Sequence, residues 1–147
     1  MEQRQLHELA QQFIDALHHL EQHNVDDVDV VVRLFSDDAR LSSAALRLTG
    51  DERRGRSGVQ QFWIEYRGTF DDVASEFSHV LIGDQATGLV WTTRGNYAGG
   101  RPFAYDGVSL LIFDDAGKIA EFRSYYDTRQ LSREVNAPSP AAGDRRG

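Results

Sequence analysis

Residues 73–126 read VASEFSHVLI-GDQA-TGLVWTTRGNY-AGGR-PFAYDGVSLLIF-DDAG-KIAEFRSYY. The stretch holds four extended segments, Val73 to Ile82, Thr87 to Tyr97, Pro102 to Phe113 and Lys118 to Tyr126. They are rich in β-branched and aromatic residues and bounded by turn signals. The turns are Gly83-Asp84, Ala98-Gly99-Gly100 and Asp114-Asp115-Ala116-Gly117. Such short connections make the segments antiparallel neighbours.

Upstream of this stretch the texture is helical. Leu6, Leu9, Ala10, Phe13, Ile14, Leu17 and Leu20 recur at three- and four-residue steps and predict one apolar helix stripe. The pattern fails at His23-Asn24. Asp27 to Phe35 fits a second, shorter helix with acidic residues at its start. Its valines favour a buried strand as the competing reading. Arg40 to Leu48 reads as a strand and Thr49 to Arg56 as a polar loop. Ser57 is then the N-cap of a helix from Gly58, with Val59, Phe62, Trp63 and Tyr66 on its buried side.

Helices first, then a run of strands, predict an α+β domain: helices packed on a curved antiparallel sheet, closing a cone with a mouth. Such a cone is a natural ligand cavity. A single domain over residues 1–136 is expected, followed by a disordered tail, 137–147, rich in Pro, Ala, Gly and charge.

Composition narrows the function. Of 147 residues, 40% are hydrophobic and 27% charged, which is ordinary globular usage. The net charge of −7 argues against nucleic acid as a partner. Arg53, Arg54 and Arg56 form a local basic cluster that reads as a solvated loop. With no cysteine, disulfides and thiolate chemistry are excluded. No apolar run approaches a membrane span, and Met1 to Leu9 lacks the apolar core of a signal peptide. The expectation is a cytoplasmic protein with no membrane partner and no cofactor.

The segment Gly117-Lys118-Ile119-Ala120-Glu121-Phe122-Arg123-Ser124-Tyr125-Tyr126-Asp127 resembles the last strand of the SnoaL-like superfamily, related to nuclear transport factor 2. Phe35-Ser36-Asp37-Asp38-Ala39 resembles that family's first helix-to-strand junction, and Gly55 to Val59 its entry into the third helix. The resemblance implies the cystatin-like cone and one apolar small-molecule pocket, but the fold hosts many activities. Within the superfamily, Thr92 to Val135 is most similar to limonene epoxide hydrolases. Those enzymes join an Arg-x-Asp pair to an Asp at the end of the last strand. Here the positions read Arg94-Gly95-Asn96 and Asp127, so one carboxylate is an amide. An amide cannot exchange a proton usefully. The water-holding Tyr and Asn of that family fall near Leu41 and Ser43, which do not match. In polyketide cyclases and ketosteroid isomerases an acid would fall near Ser109 or Leu110, and Asp106 lies upstream of it.

Strand alternation groups Arg94 and Asn96 with Val90 and Thr92, Asp106 with Val108 and Leu110, and Asp127 with Tyr125 and Arg123. If these faces line the cone, the pocket holds Arg94, Asn96, Asp106 and Asp127, and Asp127 and Asp106 divide acid and base roles, with Arg94 orienting one of them. The bland alternative is that Asp127 caps the C-terminal helix and Asp106 faces solvent beside Gly107. Tyr125, Trp63, His79 and Val108 are the candidate substrate contacts. His19 and His23 stand at a metal-compatible spacing, but no third ligand lies nearby in sequence, so no metal is expected. The expected activity is hydrolysis, isomerisation or cyclisation of a hydrophobic small molecule. A non-catalytic binding protein and a dimeric interaction module are the rivals. A homodimer is expected through the outer sheet face, with Trp91 and Tyr97 on it.

Overall fold

The computed structural model describes residues 1–130 of the chain. The tail expected to be disordered lies outside the described residues.

Helix α1 (Gln3–Gln22) forms where the apolar stripe predicts it, burying Leu6, Ala10, Phe13, Ile14, Leu17 and Leu20. It ends at His23, whose amide bonds the Leu20 carbonyl at 3.2 Å. Asn24 caps a single 3-10 turn, Val25–Asp27, by accepting from the Asp26 amide at 2.9 Å. The expected helix over Asp27 to Phe35 is cut short to α2 (Asp29–Val32), and β1 (Phe35–Ser42) starts where it should still be running. Sheet pairing explains the switch: the Ile119 amide donates to the Leu34 carbonyl at 2.9 Å, and Phe35 pairs with Ile119.

The strand expected over Arg40 to Leu48 therefore starts earlier and stops sooner. Its second half is instead α3 (Ala44–Leu48), because the Ser43 hydroxyl accepts from the Leu46 amide at 3.2 Å and nucleates a turn. A short strand, β2 (Arg53–Arg54), occupies the expected loop and pairs with Arg40 and Leu41. Gly55, at φ +71°, then turns the chain directly into α4 (Gly55–Gly68), so Ser57 lies inside the helix rather than capping it.

The remaining strands are β3 (Phe70–Ile82), β4 (Ala86–Tyr97), β5 (Pro102–Phe113) and β6 (Ile119–Tyr126). They make the expected meander. The complete sheet is mixed, in the order β2-β1-β6-β5-β4-β3, because β1 joins β6 in parallel. Adjacent elements in sequence cannot pair that way, so no turn signal announces it. Helix α1 lies against β3 and β4, and α4 against β1.

Two apolar clusters result. The larger joins α1, α2, α4 and β1 to Leu89, Leu111, Phe113 and Phe122. The smaller is Phe70, Val73, Trp91, Phe103 and Tyr105. Trp91 and Tyr97 are thus on the inside of the cone, not on an outer dimer surface: Trp91 is 7% exposed, and the Tyr97 ring lies 4.8 Å from Phe103. The odd-numbered residues of β4 turn inward, which reverses the face assigned to them. Among the described residues no helix is long and apolar enough to cross a membrane.

Candidate functional site

A cavity of about 270 Å³ opens between the two clusters. Phe13, Trp63 and Phe122 wall it from the larger cluster, and Phe70, Trp91 and Tyr105 from the smaller. The rings hold one another edge to face: Trp63 on Phe122 at 5.3 Å and 69°, Trp91 on Tyr105 at 5.3 Å and 82°.

One glycine makes room for the Trp91 wall. Gly107 stands opposite Trp91 across β4 and β5. A Cβ there would meet the Tyr125 carbonyl oxygen at 2.2 Å and the indole at 2.8 Å. With only hydrogen on Gly107, the indole lies over the backbone and its Nε1 donates to Ser109 Oγ at 2.9 Å.

At one wall the apolar lining is broken by a hydrogen-bonded chain. Glu21, the residue after the last stripe leucine of α1, is 5% exposed. Its Oε1 accepts from the Ser75 amide at 2.9 Å. Its Oε2 accepts from the Ser75 hydroxyl at 2.6 Å and from the Tyr66 hydroxyl at 2.7 Å. Ser75 Oγ in turn lies 2.7 Å from Thr93 Oγ1. Behind it, His18 Nε2 donates to the Ser75 carbonyl at 2.9 Å. Ser75, Tyr66 and Thr93 reach the cavity surface. Burial pushes the Tyr66 phenol well above its ordinary pKa, and the Glu21 charge adds to the shift. Burial likewise raises Tyr105, helped by Tyr126, Tyr97 and Glu21. Both phenols therefore remain proton donors at neutral pH. The Trp63 Nε1 is buried with no hydrogen-bond partner, an unmet donor in the wall.

The mouth is polar and partly helical. Ala45 and Leu46 of α3 line it, and the Ala45 amide donates to the Tyr126 hydroxyl at 3.3 Å. Arg47 lies 4.5 Å over the Tyr125 ring and donates to the Ser124 carbonyl at 2.9 Å. Glu65 stands at the rim, paired with Arg53 at 3.0 Å.

The residues singled out from the sequence lie mostly elsewhere. Arg94 points outward, 59% exposed along its side chain, and faces Glu76 at 3.8 Å. Asn96 donates to Asp72 at 3.0 Å. Asp106 is exposed, opposite Thr92. Asp127 is exposed and accepts from the Arg129 amide at 2.9 Å, a cap at the chain's turn after β6. Tyr125 is 42% and Val108 37% exposed, and the exposed His79 bonds Ser78 at 3.1 Å. Trp63 does line the cavity. The structure does not bring Arg94, Asp106 and Asp127 together. It does bring Asp27 to His19 and His23, with one ligand atom of each within 4.8 Å of the others. Those three residues could hold a cation on the outside of the molecule.

Sequence reading missed Glu21, Ser75 and Thr93. One signal was available: Glu21 extends the apolar stripe of α1 by one position, so a carboxylate falls where the helix meets the sheet.

The SnoaL-like domain family matches residues 10–122 by its sequence model. No curated protein sequence matches the chain. Among solved structures, an NTF2-like protein of unknown function from Burkholderia pseudomallei is 16% identical, with a TM-score of 0.76 over 93% of this chain and 100% of that one. An LEH-like epoxide hydrolase from M. tuberculosis is 15% identical, with a TM-score of 0.68 over 90% of each chain. A de novo designed protein with a curved β-sheet, 17% identical, reaches a TM-score of 0.61 over 92% of this chain and 96% of its own. At these identities the likeness is one of fold.

Proposed function

Because this chain belongs to the SnoaL-like domain family, whose curved-sheet cone it shares, we propose that it takes up a compact, mainly apolar ring compound between α1, α4 and the sheet. The observation that carries this reading is the aromatic cavity itself. Its 270 Å³ lie just under the range of about 300–1,000 Å³ typical of drug-sized ligands, which suits one or two fused rings. Most of its polar groups are hydroxyls, which can orient a ligand without solvating it. Trp63 and Trp91 stand in the wall, so binding reports itself through their fluorescence. A panel of fused-ring compounds should give saturable emission changes. Leu46→Trp, which narrows the mouth without touching the core, should abolish them. No saturable binding across the panel would remove the reading.

A second reading, proton transfer on the bound compound, is favoured by the sealed Glu21 carboxylate with Tyr66 between it and the cavity. Tyr66 would receive a proton from the ligand as it passes its own to Glu21, the step an isomerisation or cyclisation needs. General acid–base groups of this kind are worth about 10²–10⁴-fold in rate. Tyr66→Phe should lose at least the lower figure on a substrate with an acidic C–H. Equal turnover by wild type and variant would sink the catalytic role.

A further inference from the structure

The Glu21 chain has a direction, and the direction selects the ligand. Ser75 Oγ has one proton, and at 2.6 Å it goes to the Glu21 carboxylate. Toward Thr93, 2.7 Å away, Ser75 can then only accept, so the Thr93 proton is committed to Ser75. The Tyr66 proton is committed to Glu21 in the same way. Along this chain Ser75, Thr93 and Tyr66 therefore present oxygen lone pairs to the cavity and no free proton. A ligand group resting there must be a donor.

Charge narrows the choice further. Glu21 is buried, and its three donors are all neutral. Among the described residues no Lys, Arg or His forms an ion pair with it. His18 is turned to the Ser75 carbonyl. Arg67, next to Tyr66, gives its guanidinium to the Leu20, His23 and Phe70 carbonyls. A buried carboxylate without a cation is costly unless something supplies one. Trp63, Tyr66, Trp91 and Tyr105 line the same cavity, and aromatic side chains attract cations, tryptophan best of all.

Resting on the cavity reading above, we infer that the ligand is a protonated amine carried on a ring, seated with its ammonium on Thr93 and Tyr66 and its charge opposite Glu21. The acceptor-only hydroxyls, the carboxylate without a cationic partner and the aromatic lining each fit a cation with N–H donors. A neutral hydroxyl meets only the first of these demands, and an anion meets none.

The test is calorimetry on the whole chain at pH 7 with three probes that share one ring system: 1-naphthylmethylamine, 1-naphthylmethanol and 1-naphthoate. The amine should bind about tenfold or more tighter than the alcohol, and the carboxylate should not bind. In Glu21→Gln the amine should lose that advantage while the alcohol keeps its affinity. Should that variant fail to fold, the wild-type ranking decides alone. Equal affinity of amine and alcohol would overturn the charge inference and leave the apolar cavity standing. Binding of the carboxylate above the amine would overturn it outright. Binding of none of the three would overturn the cavity reading and this inference with it.

Discussion

Along β4, the outward residues Thr92, Arg94 and Asn96 alternate with the inward Trp91 and Thr93, and the two sets handle polarity differently. Outside, polarity is charge in water: Arg94 faces Glu76 at 3.8 Å with side chains 59% and 79% exposed. Inside, it is a relay of uncharged hydroxyls ending on one carboxylate that is 5% exposed. The outer pairs are screened and adjustable. The inner chain has no slack, since each proton is already assigned and a missing partner leaves a buried donor unmet. Charge-rich outer residues look functional in a sequence, yet the few polar groups inside are the ones that line the cavity.

The sharpest way to break this contrast is Gly107→Ala. The new methyl must displace the Tyr125 carbonyl or the Trp91 ring, and we expect a loss of about 3 kcal/mol or more in denaturant unfolding. Its outward neighbour Val108→Ala, already 37% exposed, should cost about 1 kcal/mol or less. Equal losses at the two positions would contradict the close approach at Gly107.

Next in size is Glu21→Leu. It strands the Ser75 amide, the Ser75 hydroxyl and the Tyr66 hydroxyl, and should cost about 3 kcal/mol in the same measurement. Adding Tyr66→Phe removes one of the three unmet donors and should return part of the loss.

A third test is alkaline pH. Tyr66 and Tyr105 hold their protons more tightly folded than unfolded. Their contribution is fully present below the unfolded phenol value of about 10 and is lost as pH rises above it. Stability should therefore fall from about pH 10 upward, and less steeply in Tyr105→Phe. A flat profile over that range would refute the burial of both phenols.

The smallest effect belongs to the outer face. Arg94→Ala and Glu76→Ala should each change stability by about 0.5 kcal/mol or less, and the change should shrink further in salt. A loss of several kcal/mol would mean that the outer pair is not simply solvated.

By itself the sequence determined the α+β class, the stripe of α1 and the four-strand meander, whose observed boundaries lie within three residues of the predicted ones. These are local properties: a 3.6-residue or two-residue period, a capping side chain, a glycine at a turn. Sequence also showed that polar and apolar residues alternate on β4 and β5, but not which set faces the helices. The two sets differ by one residue, and both contain aromatics and polar groups. Only the docking of α1 and α4 chooses between them, and it turned Trp91, Thr93 and Tyr105 inward and Arg94 and Asp106 outward. The parallel pairing of β1 with β6 and the meeting of Glu21 with Ser75, 54 positions away, were likewise decided by tertiary structure. Long-range contacts leave no periodic trace in the chain. They arise when separate elements bury their apolar faces against one another and carry their polar residues along.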